Sequence, residues 1–317
     1  MDRFRVVAPE RLCIYEAELR EKTYNFIANL NRVSVKSGYP ILVDLSQVVE
    51  ITAAASVLLF ATTNTAQLWY NNINQITFKF PTESDNKIGY RLIVKTGLAR
   101  ALRAGSEDKL NELIEKNAYF QSSTNPAEHR LHTVEMLTSR KNFHKDRLSF
   151  LSTGISEAML NVSHHAYKDP TTNIVRIDER KVDIVDKIGE RWWQCAWFDS
   201  SDDRWVFIIC DLGISIPGSY KKAEYTTSKA HIHLKEAFSL GNSRYQGLGR
   251  GNGSEDMKRM VENSGIYDES ILVYSGGAEY YYDSSMSEPT STWLPKFFQG
   301  TLIEWTLHAG DYDDDKN

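Results

Sequence analysis

Glu157 and Asn161 stand four residues apart in Glu157-Ala-Met-Leu-Asn161-Val-Ser-His-His165-Ala-Tyr167, which puts both on one helical face. A carboxylate there can take a proton from water or a hydroxyl. An amide oxygen can ligate Mg²⁺, a hard cation. A second carboxylate, Asp211, closes an apolar run and leads into Asp211-Leu-Gly213. Gly at that position leaves the chain edge open for a ligand. Gly247-Leu-Gly249-Arg250-Gly251-Asn-Gly253 places four alternating glycines ahead of a helical pattern. Such a turn lets backbone N–H groups approach phosphate oxygens at the positive end of the following helix. It matches neither the GxGxxG fingerprint nor a P-loop, since it lacks GK[ST]. Gly300-Thr301 opens the last strand pattern. Taken singly, each feature has a plain structural reading: a polar pair on a core helix, a strand exit, a flexible linker.

The elements that must position these residues follow from pattern. Leu148 to Tyr167 shows Leu151, Ile155, Met159, Leu160 and Val162 along one helical face. A hairpin is predicted over Arg191–Phe198 and Arg204–Cys210, the first arm aromatic and the second almost continuously apolar. Glu255 to Asn263 reads as a helix stopped by Gly265. Ile271–Ser275, Glu279–Tyr282 and Thr301–Leu307 read as three strands completing a sheet. Upstream, Pro40–Leu45 and Gln75–Phe80 read as strands, and Ile51–Leu68 and Tyr90–Leu102 as helices, the last interrupted at Gly97. Strand alternating with helix predicts a small α/β domain. Glu107 to Arg147 is polar, and its basic end, Ser139–Arg147, reads as a solvated helix face in preference to a phosphate or partner site.

The chain of 317 residues has length for about two domains. The expected division is an α/β domain over 1–115, a helical connector over 116–147 and an α/β domain over 148–317. Apolar residues make up 41% and charged residues 25%, which excludes disordered, collagen-like and disulfide-scaffold classes. A formal charge of −5 offers no global field for nucleic acid or membrane. Cys13, Cys195 and Cys210 show no CxxC spacing and fit a reducing compartment. No signal-peptide core or spanning stretch is visible, so the expectation is a cytoplasmic protein with a solvated acidic tail, Asp311–Asn317.

In order and spacing, the four motifs resemble the GHKL ATPase superfamily over roughly Leu148 to Leu307. The resemblance implies an α+β two-layer sandwich that binds ATP with Mg²⁺. Asn161 would hold the Mg²⁺ and Glu157 would orient or deprotonate the attacking group. Asp211 would accept a hydrogen bond from the adenine amino group, with Gly213 on the pocket floor and Thr301 supporting Asp211. Gly247, Gly249, Gly251 and Gly253 would wrap the phosphates, with Arg250 nearby and His165 at the cofactor. Pro217 to Gln246 would form a lid, offering Lys221, Lys222, Lys229, Lys235 and Arg244 to phosphates. Ser215 stands where the family carries a second glycine, which implies a narrower pocket wall.

The form E-A-x-x-N-x-x-x-H-x-Y looks most like the anti-sigma-factor serine kinase branch. Val43 to Leu59 resembles a STAS domain, the fold of the antagonists those kinases phosphorylate, the match running from Arg32 to Arg103. Ala53 or Ala54 stands at the family's phosphorylated Ser, with Thr52 and Ser56 flanking, which implies a docking module without the phosphoswitch. His132 lies too close to Asn161 for a histidine-kinase hairpin, and little chain follows Leu307 for a transducer domain. The HxH spacing of His231 and His233 lacks partners for a metal site. Three functions follow: a slow Mg-dependent ATPase switch with a STAS-like docking domain; a protein serine/threonine kinase acting on a STAS-like partner; or a non-hydrolysing nucleotide sensor or scaffold in a bacterial stress or defence system. The expected partners are ATP, a protein partner and a second copy of the chain.

Overall fold

The computed structural model describes residues 3–138, 145–168, 184–199, 203–220, 226–239, 253–262 and 269–308. The protein is a mixed α/β chain. Its chain contacts divide into two compact units, Met1–Ser122 with Ile177–Gly189 and Trp193–Cys195, and Ser123–Arg176 with Glu190–Trp192 and Ala196–Asn317.

The first unit is built on β1 (Phe4–Val7), β2 (Arg11–Leu12), α1 (Ala17–Leu30), β3 (Ile41–Asp44), β4 (Glu50–Ile51), α2 (Ala53–Trp69), β5 (Ile76–Lys79), α3 (Lys87–Gly89), α4 (Leu98–Leu102) and α5 (Glu107–Glu115). Strands β1, β3 and β5 form a parallel sheet in that order, with Val7, Asp44 and Lys79 in register. The β3 and β5 strands and α2 lie where the apolar patterns place them. Thr52 caps α2 by accepting the Ala55 N–H at 3.3 Å. That helix is buried along its length from Ala54 to Gln67, and the amide groups of Asn64 and Gln67 donate to backbone carbonyls inside. Asn64 donates to the Ala104 carbonyl (2.9 Å) and accepts the Trp193 indole N–H (2.9 Å), while Gln67 donates to the Leu102 carbonyl (3.1 Å). The helix expected over Tyr90–Leu102 is two pieces, a π turn over Tyr90–Lys95 and α4, because Gly97 takes a φ of +88°.

The polar stretch after Glu107 holds more than helix. Phe120–Ser123 is a strand, β6, with Phe120, Gln121 and Ser122 buried. Then come α6 (Pro126–Thr138), α7 (Lys145–Asn161) and α8 (Ile184–Ile188, in the first unit), followed by β7 (Trp192–Asp199), β8 (Arg204–Asp211), α9 (Ile216–Tyr220), α10 (Ala230–Ala237), α11 (Gly253–Glu262), β9 (Ser270–Asp283) and β10 (Thr290–His308). The five-stranded sheet runs β6-β7-β8-β10-β9, with β10 antiparallel to both neighbours.

Two expectations change here. Ile271–Ser275 and Glu279–Tyr282 are one strand, because Gly276 (φ +62°) carries the chain on without a turn. Gly300-Thr301 lies inside β10 rather than at its start, and the β9 pairing slips on either side of Phe298. The basic stretch also changes: Arg147 is 8% exposed and pairs with the fully buried Glu269, so it is not on a solvated face. Ser139–His144 and the acidic tail lie outside the described residues. Among the described residues no helix is long and apolar enough to cross a membrane, and Cys13, Cys195 and Cys210 are buried free thiols.

Candidate functional site

Helices α7 and α11 of the second unit run antiparallel, and two glycines set their closeness. A methyl built on Gly154 would come 3.2 Å from the Asp256 carbonyl oxygen, and one on Gly253 would come 2.9 Å from Glu157 Oε2. The Glu157 carboxylate therefore lies against the first residue of α11, the end where backbone N–H groups have no intrahelical partner. Asn161 follows one turn on, about 6 Å further along α7, beyond that N-terminus. Both side chains are half-buried, and among the described residues neither makes a hydrogen bond or ion pair. Burial pushes the Glu157 carboxyl above its ordinary range, and the negative Asp256 adds to the effect. Asp256 itself pairs with Arg259 at 2.9 Å. The indole N–H of the buried Trp305 on β10 donates to the Met257 carbonyl at 2.9 Å and holds α11 to the sheet.

After Asn161 the helix widens into a π turn over Val162–Ala166, a local form frequent at functional sites. His165 sits half-buried in this turn, its ring 5.9 Å from that of His164. The turn also receives the loop after β8. The Ile214 N–H donates to the Ala166 carbonyl at 2.7 Å, and a methyl on Gly213 would come 2.1 Å from that same oxygen. Only glycine fits there. Tyr167 fastens the other side: its buried hydroxyl donates to the Arg191 carbonyl (2.6 Å) and accepts the Leu212 N–H (3.4 Å).

Asp211 ends β8 directly opposite Thr301 in the β8–β10 register. Gly300, at φ +87°, brings β10 so close that a methyl there would come 2.0 Å from the Asp211 carbonyl oxygen. The Asp211 side chain is buried and accepts the Gly213 N–H at 2.8 Å and the Thr301 N–H. Burial pushes its carboxyl up to about 7 against the pull of those two bonds. The Thr301 hydroxyl lies 2.9 Å from Ser275 Oγ on β9. Ser215 is buried, and its hydroxyl accepts the Gly218 N–H at 3.2 Å. Its oxygen is engaged in capping α9.

The structure thus brings Glu157, Asn161 and Gly253 to one end of α11. It brings Asp211, Gly213 and Thr301 to the β8–β10 junction, and the π turn carrying His165 lies against Gly213. Gly247, Gly249, Arg250, Gly251, Lys221, Lys222 and Arg244 lie outside the described residues. The stretch expected as a lid is helical where described, in α9 and α10. Lys229 there is exposed, and Lys235 faces Glu288 at 3.8 Å. Gly154 and Ser275 join the site without having stood out in the sequence. A glycine inside an apolar helical pattern was the available signal for the first; nothing marked the second.

Among the described residues, Cys13, Glu16 and Glu50 alone place three metal-type ligand atoms within 4.8 Å. They lie in the first unit, and Arg11 already pairs with Glu50 at 2.6 Å and Glu16 at 3.2 Å. No family model, no curated protein and no solved structure matches the chain.

Proposed function

We propose that the second unit binds Mg·ATP in the manner of GHKL ATPases and hydrolyses it slowly, as a nucleotide-dependent regulatory switch. The observation that carries this reading is the seating of Glu157 against the N-terminus of α11, with Asn161 one turn beyond. An anion held by that helix end would have a carboxylate and an amide oxygen beside it. The pairing of a buried Asp211 with Thr301, walled by Gly213, supports a polar contact for the base. Asn161 supplies a hard oxygen suited to Mg²⁺, which when bound would neutralise charge on the phosphates. Glu157, lifted in basicity and free of partners among the described residues, would orient and deprotonate the attacking water. Gly253 leaves the Glu157 carboxylate its place beside that helix end.

The first unit, with its parallel β1-β3-β5 sheet and capped α2, is read as a STAS-like docking module whose contacts respond to the bound nucleotide. Calorimetry on the full chain tests the proposal. Wild type should bind Mg·ATP, Asn161→Ala should lose that binding, and Glu157→Gln should bind without turnover. No binding by wild type sinks it. Transfer of label from ATP to a STAS-like protein, in place of phosphate release, would favour the kinase reading.

A further inference from the structure

Ser275 is fully buried in β9, and its hydroxyl meets three groups from two other elements of the second unit, α9 and β10. It accepts the Ile216 N–H at 2.8 Å, lies 2.9 Å from Thr301 Oγ1 and lies 3.4 Å from the Gly300 carbonyl oxygen. Ile216 is the first residue of α9. Its N–H has no intrahelical acceptor, so the Ser275 hydroxyl ties the start of α9 to the sheet. Thr301 faces Asp211, and Gly300 is the close-approach glycine beside it.

We propose that Ser275 is a positioning residue of the nucleotide site, linking Thr301 at the base end to the anchoring of α9. This rests on the nucleotide reading above. A serine hydroxyl carries one proton and two lone pairs. With its proton on the Gly300 carbonyl, Ser275 accepts from both Ile216 and Thr301, and Thr301 offers the site only a lone pair. With its proton on Thr301, Ser275 accepts from Ile216 alone, and Thr301 can donate into the site. A ligand at Thr301 selects between these orders and so alters how Ser275 shares its lone pairs with Ile216. Linkage makes the effect reciprocal: anchoring of α9 feeds back on affinity at Thr301.

Amide hydrogen exchange on the full chain tests this. In the nucleotide-free protein Ser275→Ala should speed exchange at Ile216–Tyr220 roughly fivefold, the loss of one buried hydrogen bond. Amides of β8 and β10 should stay unchanged. Mg·ATP should slow exchange over Ile216–Tyr220 in wild type and do so at least threefold less in Ser275→Ala. Ser275→Cys, a weaker acceptor of similar shape, should fall between and serves if the Ala variant fails to fold. Unchanged exchange in the nucleotide-free variants overturns the anchor, whether or not ATP binds. Equal protection by ATP in wild type and variants overturns the coupling. Absence of ATP binding to wild type overturns the nucleotide reading and the coupling with it, and is told apart by calorimetry.

Discussion

Glu157 Oε2 and the α-carbon of Gly253 face each other so closely that one added methyl would close the gap to 2.9 Å. The contact fixes how far α7 slides along α11. Gly154, three residues earlier, meets the Asp256 backbone on the same helix pair. Two small residues one turn apart on opposite helices thus hold a carboxylate at the end of α11. Long side chains at either place would push the helices to the usual 8–10 Å separation or beyond.

Gly253→Ala should leave the fold intact and damage the site. The backbone at 253 is ordinary helix, so alanine carries no strain, and only the flexible end of Glu157 must move. A displacement near 1 Å of a reacting group costs about 100-fold in rate. Steady-state ATPase assays should show a loss of that order, with melting within a few degrees of wild type. Full activity in this variant would remove Glu157 from the chemistry.

Gly300→Ala should instead unfold the second unit more readily. A φ of +87° is unfavourable for alanine, and its methyl would meet the Asp211 carbonyl oxygen at 2.0 Å. Strain and clash together should cost about 3 kcal/mol or more. In a unit of this size that is a fall of about 6–12 °C in melting temperature. A fall under 2 °C would contradict the close approach.

Much of this site is legible in residue order. The helix carrying Glu157 and Asn161 shows in the 3.6-residue spacing of its apolar partners. Asp211 at a strand end shows in the unbroken apolar run before it. The facing of Asp211 and Thr301 does not, because register depends on the slips around Phe298, which no local pattern announces. Strand β6 hides because Gln121 and Ser122 are buried and polar, and period-2 alternation needs one solvated face. Arg147 hides for a similar reason: a basic run reads as solvated until a partner 122 residues away, Glu269, turns up beside it.

Removing that partner should be costly. Arg147 lies in the first turn of α7 and Glu269 precedes β9, and Glu269 also accepts the His308 N–H at 2.9 Å. Breaking a buried pair by deleting one member leaves a charge uncompensated, at about 3–5 kcal/mol. Glu269→Ala should lose stability on that scale in urea titration, whereas Arg147→Met with Glu269→Leu together should recover much of it. If Glu269→Ala alone costs under about 1 kcal/mol, the pair is not buried as described.

In the first unit, Asn64→Leu should leave the Trp193 indole N–H and the Ala104 carbonyl without their partner. Each orphaned buried group costs about 1–3 kcal/mol. A loss of about 2–6 kcal/mol in urea titration is therefore expected, with the tryptophan fluorescence of the native state altered. Asn64→Gln, longer by one methylene, should not restore it in so tightly buried a helix. A neutral Asn64→Leu would show that water reaches these groups.

Asp211 gives the chain a pH dependence with a definite sign. Its folded carboxyl titrates at about 7 against an ordinary 3.8, so between those values the folded state holds a proton that the unfolded chain has released. Stability falls with pH wherever the folded state binds more protons. The contribution from protonated Asp211 is complete below about pH 4 and is lost as pH rises through about 7. Asp211→Asn, which stays neutral, should flatten that fall and raise the melting temperature at pH 8. At pH 8, where the wild-type carboxylate is ionised, the same change should also weaken ATP binding, because an amide turns a charge-assisted bond to the base amino group into a neutral one. A variant more stable yet poorer at binding would mark Asp211 as a group kept for its ligand at the expense of the fold. Identical pH–stability curves for Asp211→Asn and wild type would place the carboxyl near its ordinary range and leave it a structural strand end.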